Sequence, residues 1–289
     1  MRIAYLASRL TLPESPDRRF DAFEHDLMID CLMPAFADKG STLAIHAWDD
    51  ETIDWSVFDA VLIGSTWDYQ DNLSAFMAKL ESIEAQTALF NPSAIVRWNN
   101  RKTYLRDLES NGVQIVPTLW FDEPTETDVE KAFDTLGSDD LVFKRQVGAN
   151  AEGQYRVHRG DPTPHMPEPM MAQPFLPAIQ IEGEMSAIFI DGAFSHALIK
   201  SAAAGEYRIQ SSYGGTERAC EPEPKDRAAA TTIIESLDQT PLYARVDMAR
   251  GNDGQMLLME LEMIEPFLYP LQGPELGERL HAALVDRLA

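Results

Sequence analysis

The fold is decided near the C-terminus, by Arg245-Val246-Asp247, Asn252-Asp253-Gly254 and Leu257-Leu258-Met259-Glu260-Leu261-Glu262-Met263-Ile264-Glu265-Pro266. An Asp-Gly step between two apolar, strand-like runs signals a hairpin, because both central residues of the tight turn tolerate positive φ. Such a hairpin brings Asp247 beside the two glutamates. Residues two apart on a strand share a face, so Glu260 and Glu262 point the same way. Bare carboxylates so placed repel, and a divalent ion held by Asp247, Glu260 and Glu262 would remove that cost. Magnesium suits the set, with manganese as its substitute, since it takes few protein carboxylates and completes its octahedron with water and phosphate oxygens. A solvated acidic strand face is the competing reading. The alternation with Leu257, Met259, Leu261 and Met263, and the stop at Pro266, favour the metal.

The 289 residues suffice for two or three domains with ample core. Hydrophobic residues make up 45% and no run reaches membrane-span length, which predicts a soluble globular protein. Met1 to Ala7 is too short an apolar stretch for a signal peptide and reads as a first strand. Cys31 and Cys220 lie far apart without metal-ligand spacing, which suits a reducing cytoplasm. A formal charge of −23 repels nucleic acid and anionic membranes, so neither is an expected partner. An anionic ligand such as ATP then needs a local basic pocket or a metal, and most of the acidity serves solubility or salt adaptation.

Up to about residue 95, strand signals (Ile3 to Ala7, Leu43 to Ala47, Phe58 to Gly64) alternate with helical ones. Phe23, Leu27 and Cys31 fall at helical spacing, with Pro34 expected to kink or end that helix. Phe76, Met77 and Leu80 complete a second stripe. This alternation predicts a parallel sheet covered by helices. No Gly-x-Gly-x-x-Gly follows the first strand, which argues against a dinucleotide cofactor. Ser65-Thr66-Trp67-Asp68-Tyr69 ends the third strand, where open parallel sheets collect ligands, so Trp67 and Asp68 are substrate-wall candidates. A packed Trp67 and a helix-capping Asp68 are the plainer alternative. Arg18 and Arg19 are further candidates, for a substrate carboxylate.

Basic residues recur beyond residue 95. Lys102 sits in the first turn of a helix predicted over Arg101 to Leu108, where its charge opposes the helix dipole, as a lysine kept for a ligand would. Lys144 closes a strand and enters the loop Arg145 to Gly153, which can fold over phosphates although it lacks a Walker ending. Gln173-Pro174-Phe175-Leu176 is an apolar linker able to offer an N–H and a C=O to an adenine edge. Met185 to Ile190 and Ala193 to Lys200 flank Asp191-Gly192 as a second hairpin. Leu280, Ala283, Leu284 and Leu288 mark a structural C-terminal helix.

In order, Gln173-Pro174-Phe175-Leu176-Pro177, Gly183-Glu184, Asp191-Gly192, Gly205-x-x-Arg208-x-Gln210, Gly214-Gly215, Arg245-x-Asp247 and Glu260-x-Glu262-x-x-x-Pro266 resemble the ATP-grasp superfamily, from about Asn99 to Pro266. The order is most similar to bacterial glutathione synthetase and to the D-cycloserine-forming cyclo-ligase. The resemblance implies an α/β and α+β chain in three parts: an N-terminal parallel-sheet domain over residues 1–95, then lobes over 96–172 and 173–289 enclosing ATP. It further implies that Lys102, Lys144 and Lys200 meet the phosphates, that Gln173, Pro174, Phe175 and Leu176 form the adenine hinge, and that Glu184 accepts from the ribose. Arg208 and Lys200 would act on the transferring phosphoryl group, and Asp247, Glu260 and Glu262 would hold magnesium. Gly214 and Gly215 join Trp67, Asp68 and Arg18 on the substrate side. Glu262 stands where the family often has Asn, and no basic residue follows Glu184, and both departures point to the cyclo-ligase branch rather than to glutathione synthesis.

Such enzymes phosphorylate a carboxylate and let a nitrogen displace the phosphate, a chemistry of positioning and charge neutralisation without a protein nucleophile. The six histidines are scattered and form no metalloprotease or triad pattern. The expected activity is thus a Mg-ATP-dependent ligase joining a small-molecule carboxylate to an amine, acting through an acyl phosphate, with intramolecular closure of an amino-acid-derived substrate as one form. The alternative is a non-catalytic nucleotide-binding protein of the same fold. The resemblance implies a homodimer or larger assembly.

Overall fold

The computed structural model describes residues 1–148, 153–209 and 213–289. Its three sheets follow from the apolar runs. β1 (Arg2–Ala7), β2 (Thr42–Ala47), β3 (Ala60–Ile63) and β4 (Ala88–Phe90) form an all-parallel sheet in the order β2-β1-β3-β4. β1 after its first residue and all of β3 are buried, as strands covered on both faces must be. α1 (Ala22–Asp38) packs against Ile3, Tyr5 and Leu62 on one face. α2 (Leu73–Glu84) packs Phe76, Met77, Leu80 and Ile83 against Ala4, Leu6 and Val61 on the other.

Two details of α1 differ from the sequence reading. It continues through Pro34 to Asp38, because burial of Leu32 and Phe36 on either side of the proline outweighs one lost hydrogen bond. Its most buried face is His25, Met28, Leu32 and Phe36; Leu27 and Cys31 pack half-buried at the edge of that core, and Phe23 is exposed. Both stripes have helical spacing, and spacing alone does not choose between them.

The second sheet is antiparallel, ordered β5 (Leu119–Phe121), β8 (Met170–Pro174), β6 (Asp140–Arg145), β7 (Tyr155–His158). α5 (Glu126–Leu136), started by a Thr125/Asp128 capping box, buries Val129 and Phe133 against it. The third sheet runs β11 (Thr216–Cys220), β10 (Ala193–Ser201), β9 (Glu184–Ile190), β12 (Tyr243–Arg250), β13 (Met256–Glu262), all antiparallel. α3 (Ser93–Asn99) and α4 (Tyr104–Ser110) supply Ile95, Tyr104, Leu105 and Leu108 to the core beneath this third sheet, which Met185, Ala187, Phe189, Val246 and Leu258 share. α3 and α4 therefore pack with the last sheet, and the boundary expected at residue 172 falls inside β8. Lys102 precedes α4 instead of occupying its first turn, so no dipole conflict arises.

The β12/β13 hairpin forms as expected, with a different turn: Gly254 has φ +81 while Asp253 stays at negative φ. Asp253 instead accepts from the Gln255 N–H, an Asx-type turn. α8 (Leu276–Leu288) returns to the N-terminal domain, where Leu276, Leu280 and Leu284 fill a core with Met28, Leu32, Ile188 and Leu198. One face of the third sheet is thus apolar where it meets α8 and the first sheet, and free to be polar at its other end. Among the described residues no helix is long and apolar enough to cross a membrane.

Candidate active site

At that polar end a row of charge crosses all five strands. Glu217 on β11 pairs with Lys200 on β10, and Lys200 with Glu184 on β9. One step along, Ser186 pairs with Asp247 on β12 and Asp247 with Glu260 on β13, while Arg245 pairs with Glu262. Directly opposed residues share a face, so these side chains converge; the signs alternate from Glu217 through Lys200 to Glu184 and at Arg245 and Glu262, whereas Asp247 and Glu260 are like charges set opposite each other. A bulge between Asp247 and Met248 lets β13 keep Leu258 and Leu261 in the core while Met259, Glu260 and Glu262 line the pocket.

The contacts are close. Lys200 Nζ lies 2.5 Å from Glu184 Oε1 and 3.4 Å from Asp247 Oδ1. Arg245 Nη2 lies 3.0 Å from Asp247 Oδ2 and also reaches Glu262, while its Nη1 donates to the Phe267 carbonyl at 3.1 Å. Ser186 Oγ donates to Asp247 Oδ1. Lys102 Nζ donates to Glu260 Oε1 at 2.5 Å and to the Gly148 carbonyl at 2.9 Å. Lys144, on β6 in the facing sheet, lines the same pocket without a hydrogen bond or ion pair among the described residues.

Burial works against charge on Asp247, but Arg245 and Lys200 outweigh it and hold the carboxyl at about 2. The outer acids lack that balance. Burial, with repulsion from Glu260 and Asp247, pushes Glu262 up to about 7 in spite of Arg245. Burial and Glu262 push Glu265 up to about 8. Burial lowers the affinity of Lys144 for its proton, whereas Asp247 and Glu184 raise that of Lys200.

The expected nucleotide residues surround this row. Lys102, Lys144, Gln173, Pro174, Phe175, Leu176, Glu184, Lys200 and Arg208 all line one pocket with the three metal-site acids. Gln173 is buried and donates to Thr118 Oγ1 at 3.0 Å. The Phe175 N–H is spent on the Asp140 carbonyl, so Leu176 is the linker residue left to offer an N–H. The Arg156 guanidinium stacks over the Phe175 ring at 3.5 Å, and Tyr207 meets that ring edge-on at 6.0 Å. Arg208 is held by Glu206 at 2.6 Å and lies over Tyr213. Glu184 is paired with Lys200 rather than left open for a ribose hydroxyl.

On the substrate side the expectations divide. Trp67 lines the pocket, and its indole N–H donates to the Glu265 carbonyl at 3.0 Å, tying the N-terminal domain to the end of β13. Asp68 and Arg18 do not line it. Asp68 accepts from the Trp48 indole at 2.8 Å, and Arg18 pairs with Asp26 and donates to the Thr11 carbonyl. Gly214 and Gly215 also stand outside the lining. Residues 149–152 of the loop expected over the phosphates, and Gln210 of the arginine segment, lie outside the described residues. The sequence reading gave no role to Arg245, Glu217 or Glu265, all three of which line the pocket. For Arg245 the signal was present, since it stands two residues before Asp247 on one strand.

No metal-ready group of three acidic, histidine or cysteine side chains occurs among the described residues. The protein's own lysines and arginine meet the acids instead. The donor chemistry still suits magnesium: hard carboxylate oxygens of Asp247, Glu260 and Glu262 on one face, with Glu262 carrying more burial than Arg245 offsets.

The N-terminal residues 3–91 match the family model described as D-cycloserine synthetase DcsG, N-terminal domain. Over 286 residues the chain is 29% identical to the cycloserine biosynthesis protein DcsG of Streptomyces lavendulae, covering 91% of this chain and 95% of that one. The crystal structure of D-cycloserine synthetase DcsG superposes with a TM-score of 0.84 at 25% identity, covering both chains completely. The ATP-grasp ligase PsnB, solved with a precursor variant, Mg and ADP, gives 0.68 at 17% identity over 99% of this chain and 98% of that one. D-alanine–D-alanine ligase from Bacillus anthracis gives 0.69 at 15% over 100% and 97%. The chain has the fold of the ATP-grasp ligases, and its relatives make it an ATP-dependent ligase. In sequence and in fold it is similar to D-cycloserine synthetase.

Proposed function

We propose that the chain uses Mg-ATP to activate the carboxyl group of an amino-acid-derived substrate as an acyl phosphate, which a nitrogen of the same molecule then attacks to close a ring. The observation that carries this reading is the charged row of the third sheet, which sets acids for a cation and bases for phosphates in one pocket with the hinge. Chemically, a substrate carboxylate oxygen attacks the γ-phosphorus and ADP leaves. The nitrogen lone pair then forms the C–N bond, phosphate departs with its electron pair, and the nitrogen proton passes to solvent or to a pocket carboxylate.

Each residue has a part in that sequence. Asp247, Glu260 and Glu262 would hold magnesium, which would supply positive charge against the phosphates. Lys144, Lys200 and Lys102 bind the phosphate tail. Arg208, released from Glu206, and Arg245 lie against the transferring group. Trp67 closes the substrate end. The relationship to D-cycloserine synthetase supports a cyclo-ligase, and the departures at Glu262 and after Glu184 agree with it. The test is ADP release from ATP and magnesium across a panel of D- and L-amino-acid derivatives that carry a second, side-chain nitrogen. Stimulation by particular members, with a cyclised product by mass spectrometry, is the expected result. Nucleotide-dependent melting shifts without turnover on any member would instead indicate a binding protein.

A further inference from the structure

Apart from glycines, two of the described residues have positive φ, Asp191 and Tyr269, both at +51. Asp191 has a local reason, since it opens the Asp191-Gly192 turn between β9 and β10, where such a φ is favoured. Tyr269 has none. It lies in no helix or strand, and a bulky residue in the left-handed region is strained by about 1–3 kcal/mol, so it persists only where its surroundings dictate it.

Here they do. Arg245 Nη1 donates to the Phe267 carbonyl at 3.1 Å, and His196 Nε2 to the Leu268 carbonyl at 2.9 Å. The Tyr269 carbonyl accepts from the Gln272 and Gly273 N–H groups at 3.0 and 3.1 Å. Its ring packs on Phe267 with centroids 4.6 Å apart, and the Arg245 guanidinium lies 5.6 Å from its centre. The backbone of three successive residues is thus tied down around one phenol.

Tyr269 is 6% exposed and lines the pocket, yet its hydroxyl makes no hydrogen bond among the described residues. A buried tyrosine hydroxyl ordinarily has a partner, and an unpaired one costs about 1–3 kcal/mol. Packing alone would be served as well by phenylalanine, so strain and unpaired donor both point to a ligand. The charges acting on the hydroxyl are those of Lys200, Arg245, Asp247 and Glu217, which sets it beside the part of the charged row carried by β10, β11 and β12. Burial keeps it protonated against the pull of Lys200 and Arg245, so it meets the pocket as a neutral donor.

We propose that the Tyr269 hydroxyl is a catalytic group that donates a hydrogen bond to the phosphoryl group in transit from ATP to the substrate carboxylate, completing a cradle with Lys200 and Arg245. The assignment rests on the ligase reading above and adds a residue to it. In the transfer the bond from the γ-phosphorus to ADP breaks, its electron pair leaves with ADP, and the bond to the carboxylate oxygen forms. Tyr269 keeps its proton throughout. The negative charge spreads over the three equatorial oxygens of the moving group, and a fixed neutral donor binds one of them without adding a third positive charge beside Lys200 and Arg245.

The probe is orthovanadate, a mimic of the phosphoryl group in transit, titrated calorimetrically into the protein saturated with ADP and Mg²⁺. Tyr269→Phe keeps the ring and its contact with Phe267 and removes only the hydroxyl. It is expected to weaken vanadate binding about 10- to 100-fold, with ADP affinity and melting temperature at wild-type values. A merely structural role would not separate the two ligands. Four outcomes overturn the proposal: no vanadate binding by the wild type, equal vanadate affinity in Y269F, a loss of ADP affinity in Y269F as large as that for vanadate, or loss of its cooperative unfolding transition. The ligase reading fails on a separate observation, the absence of ADP release with every carboxylate offered, which the vanadate titration does not measure.

Discussion

Lys144 and Asp247 are both buried charges in one pocket, and their replacements should behave in opposite ways. Lys144 has no hydrogen bond or ion pair among the described residues, and burial depresses its basicity more than the nearby Glu260, Glu184 and Asp247 restore it, so the folded chain bears part of its desolvation. Lys144→Met is expected to leave unfolding by urea unchanged or stabilised by about 1 kcal/mol, while calorimetry shows ATP binding weakened about 10- to 100-fold. Asp247→Asn leaves Arg245 and Lys200 without their central counter-charge, and should cost about 3–5 kcal/mol in the same unfolding measurement. His25 sets a pH dependence whose sign follows from burial. It is 2% exposed beside Ser65 Oγ, and desolvation lowers it to about 4. The unfolded chain takes up this proton near pH 6.5 and the folded chain only near 4, so between those values the unfolded state binds more protons. Stability from His25 is complete above about pH 6.5 and falls on acidification, by at most about 1.4 kcal/mol per pH unit. His25→Gln should remove that component, read as a smaller difference in urea midpoint between pH 7 and pH 4.5 than the wild type shows.

Among the elements, the contact of α1 with α8 is tightest at Gly277, where an added Cβ would come within 2.7 Å of Ala35 Cβ and 2.8 Å of the Cys31 carbonyl oxygen. Gly277→Ala should cost about 1–3 kcal/mol, lowering the melting temperature by several degrees in calorimetry, because neither neighbour is a flexible side-chain end. This contact joins the two ends of the chain, and nothing local in the sequence marks it. Legibility varied in the same way elsewhere. The β12/β13 hairpin was readable because alternation places Glu260 and Glu262 on one face whatever they pack against. The core face of α1 was not, since two stripes share its period and α8, about 240 residues further on, helps to select one. Lys144 was read from a strand end, Lys102 from a helix turn it does not occupy and Lys200 from the family resemblance, and all three line one pocket. Arg18 and Asp68 were misplaced because a charged residue in a loop reads the same whether it faces a ligand or, as here, Asp26 and Trp48. Glu265 escaped notice since its strand stops at Glu262, beyond which alternation gives no direction.

For the molecule as a whole, the formal charge of −23 and the acidic pocket predict two separable responses to cations. Surface repulsion acts over roughly 10 Å at 0.1 M salt, so NaCl should raise the melting temperature smoothly by screening it, without saturation. Magnesium should do the same through ionic strength and, with ADP present, add a second rise that saturates, because a ligand bound only by the folded state stabilises it by RT ln(1 + [L]/Kd). On the proposed reading that saturable part belongs to Asp247, Glu260 and Glu262, and replacement by Gln at 260 and 262 removes two acids without changing their size. The double variant is expected to keep the NaCl response, lose the saturable magnesium response and release no ADP from ATP with any substrate. Its melting temperature without magnesium reports a balance: repulsion between the two acids is relieved, while Lys102 and Arg245 each lose a partner. Because Glu262 already sits at about 7 through burial and repulsion, the relief should offset most of that loss and leave the unliganded protein within a few degrees of wild type. A saturable magnesium rise that survives in the double variant would move the cation to other ligands, and the charged row of the third sheet would then be a structural ion-pair network alone.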